Sequence, residues 1–140
     1  KSTYEADITM SMVEHFWLFH KLKLAIQNYV HVNNFPLSEI IDTKDIYITN
    51  IQIQKYIQHQ GFYKKHIDSF IGPRILVFIW YLNDVYEGGN TVFYNDTPHE
   101  IKVRPQKGSL LIFPANFTQI HSGEVPISND KIIVTGWIHI

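Results

Sequence analysis

At 140 residues and 16.5 kDa, with 45% hydrophobic and 18% charged residues, the chain is long enough to bury a substantial core and reads as one domain over 1–140. A formal net charge of -1 offers no basic excess for nucleic acid and no acidic tail, so no nucleic-acid partner is expected. The lack of cysteine excludes disulfides and thiolate metal sites, and no apolar run reaches membrane-spanning length. With no signal-peptide pattern either, the sequence favours a cytoplasmic protein that does not engage membranes. The chain opens on Lys1 rather than Met, which reads as a trimmed start, so a targeting segment is not excluded. Nothing in the composition sets an oligomeric state.

Residues 1–10 carry no clear period. From Ser11 the pattern is helical. Ser11 and Glu14 have capping-box spacing, and Met12, Phe16, Phe19, Leu22, Ile26 and Tyr29 recur at three- and four-residue intervals as one apolar stripe. That stripe predicts a helix over about 11–33, packed against a sheet. His15, His20 and His31 read as surface or core-edge histidines, since no carboxylate stands beside them at ligand spacing. After Phe35-Pro36-Leu37, a short helical turn is expected at Ser38 to Ile41.

At about residue 46 the period changes to two, and a run rich in β-branched residues to Lys55 predicts a strand. His59-Gln60-Gly61 breaks it, and Phe62 to Asp68 reads as a second short strand. Arg74 to Leu82 is a nearly continuous apolar run, the composition of a strand buried on both faces. Further strands are expected at Thr91 to Tyr94, His99 to Val103, Ser109 to Phe113, Thr118 to His121 and Lys131 to Ile140, separated by turn formers. Many short strands after one long helix predict a mainly β fold, an antiparallel sandwich or barrel braced by that helix. The two sequons, at Asn95 and Asn116, read as coincidences in a chain without a secretory signal.

His66-Ile67-Asp68 is the stretch that carries chemistry. Two residues apart on an extended strand share a face, so an imidazole and a carboxylate can meet one ion. A second histidine from a distant strand, for which His121 is the candidate, completes the two-His-one-carboxylate facial triad of non-haem Fe(II) oxygenases, which leaves positions open for co-substrate and oxygen. Lys131 opens the last strand beside Ile132-Ile133-Val134. A lysine there either stays at the rim or meets a carboxylate, and that carboxylate can belong to a bound ligand.

The order His66-x-Asp68, Arg74, Tyr81-Leu82-Asn83-Asp84-Val85, Glu87-Gly88-Gly89-x-Thr91-x-Phe93, Pro105-x-Lys107-Gly108, Phe113-Pro114, His121, Lys131 and Trp137 resembles the 2-oxoglutarate and Fe(II)-dependent dioxygenase superfamily. Within it the chain is most similar to the prolyl 4-hydroxylase-like group, in particular its compact viral and bacterial versions, over about residues 46–140. The resemblance implies a double-stranded β-helix, or jelly-roll, core. It also implies His66, Asp68 and His121 as iron ligands, and Lys131 with Thr91 as partners of the distal carboxylate of 2-oxoglutarate. Tyr56 would add a hydroxyl there, and Arg74 and Trp137 would face the substrate. The reaction implied is hydroxylation of a proline in a peptide or protein. It uses Fe(II), O2 and 2-oxoglutarate, gives succinate and carbon dioxide, and is supported by ascorbate.

Two departures from that pattern stand out. Tyr56 lies ten residues before His66, where collagen-type enzymes place the tyrosine nine before, a difference that one bulge can absorb. Only residues 69–73 separate Asp68 from Arg74, where peptide-binding prolyl hydroxylases carry a longer loop. The same chemistry on another amino-acid side chain or a small metabolite is the alternative reading. A jelly-roll binding module without activity is a third, which leaves the ordered ligand set without a reason.

Overall fold

The computed structural model describes residues 3–7, 12–32, 47–69 and 72–139. The elements are β1 (Tyr4–Asp7), α1 (Met12–Val32), β2 (Tyr47–Tyr56), β3 (Tyr63–His66) and β4 (Arg74–Tyr81), followed by β5 (Thr91–Phe93), β6 (Ile101–Val103), β7 (Leu110–Pro114), β8 (His121–Gly123) and β9 (Lys131–His139). Every strand pairing among the described residues is antiparallel. One sheet has the order β1-β2-β9-β4-β7 and the other β3-β8-β5-β6. This is the mainly β, jelly-roll architecture expected, with a helix laid on the larger sheet.

The parity of β4 explains why its sequence is apolar throughout. Val77, Ile79 and Tyr81 point between the sheets, where they join Tyr56, Phe93, Phe113, Ala115 and Ile133 in the inner core. Leu76 and Phe78 point the other way and meet Leu18, Leu22 and Ile26 of α1. Covered on both faces, β4 is apolar at every position from Ile75 to Tyr81. Each fully buried Leu, Ile or Phe side chain contributes about 1.5–3 kcal/mol by leaving water, so β4 contributes to both clusters and is held to α1 through the second. The strand β9 repeats the arrangement: Ile138 faces the helix and Ile133 the inner core.

The helix matches its predicted bounds, and its buried face keeps part of the predicted stripe, Leu22 and Ile26 with Tyr29 packed beside them, but not Phe16. Leu18, Leu22 and Ile26 are buried, whereas Phe16 is 72% exposed. At 3.6 residues per turn Phe16 lies about a third of a turn from the line through Leu22, so its three-residue spacing to Phe19 carries it off the sheet. It stacks instead on His20, with ring centroids 6.4 Å apart. The side chain of His15, the Ser11 cap and the turn expected at Ser38 to Ile41 lie outside the described residues.

Other elements differ from their expected bounds, among them β6, which starts at Ile101 rather than His99. Residues 4–7 form β1, paired with Gln52 to Lys55 of β2. Four residues are too few to show a period, and β2 supplies the order. The strand expected at Phe62 to Asp68 stops at His66, so Asp68 follows the strand rather than belonging to it. The piece expected at Thr118 to His121 begins at His121 instead. Asn116 holds the preceding residues in a turn, its Oδ1 accepting from Thr118 N at 3.0 Å and Thr118 Oγ1 at 2.6 Å, while its carbonyl accepts from Gln119 N. Among the described residues no helix is long and apolar enough to cross a membrane.

Candidate active site

The smaller sheet brings the two histidines together by register. His66 closes β3 and His121 opens β8, and the two are direct cross-strand partners. Opposed residues of an antiparallel pair stand close on one face, and the ring centroids are 4.3 Å apart. On its other side His121 is paired with Phe93 of β5 and meets Phe113 edge-on at 4.8 Å. Packed this way it is 5% exposed, and burial lowers its pKa, favouring the neutral ring.

Both histidines are held in one tautomer. His66 Nδ1 lies 2.8 Å from the Lys64 carbonyl and His121 Nδ1 lies 3.0 Å from the Gln119 carbonyl. A carbonyl only accepts, so each Nδ1 carries the proton and each Nε2 keeps a free lone pair. Asp68 then bends in from beyond β3. Its Oδ2 is 3.3 Å from His121 Nε2 and its Oδ1 is 4.0 Å from His66 Nε2. Ligand atoms from the three side chains lie within 4.8 Å of one another.

This arrangement fits a metal ion. Asp68 Oδ2 is buried and has no hydrogen-bond partner, although an unsatisfied buried carboxylate oxygen is costly. Two imidazole nitrogens and one carboxylate oxygen on the same side of a point are the donor set of a non-haem Fe(II) centre.

The triad opens into a pocket lined also by Gln54, Tyr56, Thr91 and Lys131. Lys131 is 1% exposed at the start of β9, and burial pushes its ammonium down to about 7, with Glu124 opposing the shift. Among the described residues no carboxylate lies within ion-pair distance of it. Its Nζ sits over the ring of Tyr56 at 4.6 Å and that of Tyr81 at 5.8 Å. Tyr56 is its cross-strand partner on β2, but the Tyr56 hydroxyl donates to Gln54 Oε1 at 3.2 Å. Thr91 is buried in the lining of the same pocket and shares a 2.7 Å hydrogen bond with the Tyr81 hydroxyl, whose pKa burial raises to about 12.

Arg74 and Trp137 both touch Asp68, and Trp137 also lines the pocket. The Trp137 indole N–H donates to Asp68 Oδ1 at 3.0 Å, and Arg74 donates to the Asp68 carbonyl at 3.2 Å while its guanidinium lies 4.0 Å from the Trp137 ring centre. Nothing in spacing or period signals these contacts. Nor does the sequence point to Gln54, or to Tyr63, whose ring leans on His66 at 4.4 Å. Tyr81 was detectable, because it shares the inward parity of Val77 and Ile79.

Comparison with known proteins gives one consistent answer. The Arabidopsis thaliana protein described as probable prolyl 4-hydroxylase 3 is 29% identical, over 62% of this chain and 39% of that one. The chain therefore spans about two-fifths of the length of that relative. A viral collagen prolyl hydroxylase from Paramecium Bursaria Chlorella virus-1, solved as a 2OG complex, superposes with a TM-score of 0.70 at 22% identity, over 98% of this chain and 79% of that one. A Pseudomonas putida prolyl-4-hydroxylase gives 0.63 at 18% identity, over 99% and 68%. A Trichoplax adhaerens prolyl hydroxylase, solved with a peptide fragment of the hypoxia inducible factor oxygen degradation domain, gives 0.59 at 22% identity, over 66% and 44%. These likenesses establish the fold, and residues 51–139 match the profile of the 2OG-Fe(II) oxygenase superfamily. The chain belongs to that superfamily, a membership that implies Fe(II), 2-oxoglutarate and O2.

Proposed function

We propose that the chain is an Fe(II)- and 2-oxoglutarate-dependent hydroxylase acting on a proline of a peptide or protein, with residues 1–140 as one catalytic domain and ascorbate supporting turnover. The observation that carries this reading is the meeting of two unlike binding elements in one pocket: the His66–Asp68–His121 triad and the buried ammonium of Lys131. Iron and 2-oxoglutarate together supply the oxidising chemistry, one oxygen atom of O2 entering the product and the other succinate as carbon dioxide leaves. The protein supplies position and a dry cavity.

In this reading the three ligands hold the ion, and Lys131 neutralises the carboxylate at the far end of the co-substrate. An ammonium at a fixed depth selects a dicarboxylate by length as well as charge. Thr91 Oγ1 already shares its hydrogen bond with Tyr81, so together they offer that carboxylate a hydroxyl whose direction is set beforehand. Tyr56 acts with its ring, beneath the ammonium, while its hydroxyl is engaged by Gln54. Val77, Ile79 and Ile133 wall the pocket and keep water from the reacting centre.

Oxygen-dependent succinate formation stimulated by proline-containing peptides tests the proposal. If succinate forms but no peptide in a broad proline panel stimulates it, the substrate assignment falls and the oxygenase assignment stands. One observation favours a second substrate class, another amino-acid side chain or a small metabolite. Arg74 and Trp137, expected to face a peptide, are both turned onto Asp68. A search for products that gain one oxygen separates the two.

A further inference from the structure

The two oxygens of Asp68 have different surroundings, although both are shielded in a side chain only 8% exposed. Oδ1 accepts the indole N–H of Trp137 at 3.0 Å. Oδ2 has no hydrogen-bond partner and lies 3.3 Å from Nε2 of His121. The indole is itself held: the Arg74 guanidinium stacks at 4.0 Å from its ring centre and donates to the Asp68 carbonyl at 3.2 Å. Side chain and backbone of one ligand are thereby fixed from two neighbouring strands, since Arg74 opens β4 and Trp137 lies near the end of β9.

We propose that Arg74 and Trp137 form a clamp that positions Asp68 and reserves Oδ2 for the metal, so that the carboxylate binds through one oxygen and leaves a coordination position open. The inference rests on the reading of the triad as a metal site and deepens it. Trp137 and Arg74 are positioning residues, acting through Asp68. A carboxylate free to turn would offer both oxygens, filling a position that co-substrate or oxygen needs. Partners that orient a metal ligand are commonly worth 10–100-fold in affinity.

Titration of metal-free protein with Co(II) under anaerobic conditions, followed by calorimetry and by the visible absorption of the loaded ion, tests this without reference to turnover. Trp137→Phe keeps an aromatic ring for Arg74 to stack on while deleting the donor and the second ring. It is expected to weaken Co(II) binding about 10–100-fold, to alter the Co(II) bands as the carboxylate reorients, and to leave the metal-free protein folded with at most a small drop in its unfolding temperature. Arg74→Met is expected to weaken binding in the same direction, and His121→Ala to remove a ligand outright. If His121→Ala loses binding while Trp137→Phe matches wild type in affinity and spectrum, the clamp is wrong and the metal site stands. A loss of affinity in Trp137→Phe with wild-type Co(II) bands and a matching loss of metal-free stability means packing alone, and also overturns the clamp. Wild-type protein that binds no Co(II) overturns the clamp and the metal reading together.

Discussion

Replacing Lys131 by methionine should move stability and binding in opposite directions. The free protein keeps an ammonium at 1% exposure, with its pKa brought from 10.5 down to about 7. At 1.36 kcal/mol per unit that shift sets the cost of the charged form at about 5 kcal/mol at most, below pH 7. The Tyr56 and Tyr81 rings offset some of this, at about 0.5–2 kcal/mol for each desolvated cation–π contact. Methionine fills similar space without a charge. Lys131→Met should therefore stabilise the ligand-free protein by about 3 kcal/mol at pH 6.5.

The sign with pH follows from proton counting. Between pH 7 and 10.5 the unfolded chain keeps its Lys131 proton while the folded chain has released it, so wild-type stability rises with pH relative to the variant. The gap between the two should be largest below pH 7 and close towards pH 10.5, as read by urea denaturation across that range. The same substitution removes one partner of a desolvated charge pair, a loss of about 2–5 kcal/mol. Calorimetric affinity for 2-oxoglutarate in the presence of Mn(II) should then fall at least about 30-fold. A variant less stable than wild type at pH 6.5 would mean that Lys131 is not a costly buried charge, and one that binds 2-oxoglutarate as wild type does would mean that Lys131 does not meet its carboxylate.

Other consequences are accessible to similar measurements. Above pH 7 the dicarboxylate should bind with uptake of close to one proton at Lys131, visible as a buffer-dependent binding enthalpy that vanishes in Lys131→Met. Gly123→Ala would set a Cβ 3.1 Å from Tyr56 Cε1 and 3.3 Å from Tyr63 Cβ. The Tyr56 ring under Lys131 would have to move, so denaturation should report a loss of about 1–3 kcal/mol and calorimetry weaker 2-oxoglutarate binding. Leu22→Ala should cost about 2–5 kcal/mol, whereas Phe16→Ser should stay within about 0.5 kcal/mol of wild type. Equal effects of the last two would contradict the observed face of α1.

Most of the larger sheet was legible because its strands are long and their burial is simple. β4 is apolar on both faces since both are covered, and β9 is covered on both faces too, with Ile133 and Ile138 on opposite sides. What escaped depended on contacts distant in sequence. β1 exists because β2 offers it a partner, and Asn116 delays β8 through a side-chain turn. At the site, residue identity and order pointed to the triad, but the means of convergence was only half foreseen. His66 and His121 meet by cross-strand register, whereas Asp68 arrives from beyond its strand. The contacts of Arg74 and Trp137 with Asp68 were hidden altogether. An N–H donor from Trp137 to a residue 69 positions away leaves no trace in spacing or period.

Product analysis tests the hydroxylase assignment most directly. Mass spectrometry of proline peptides after incubation with the protein, Fe(II), ascorbate, 2-oxoglutarate and O2 should show one peptide gaining a single oxygen on proline. Succinate should form in equal amount, and both products should be lost in His121→Ala. Succinate without any oxidised peptide, or oxidation that persists in His121→Ala, would contradict it.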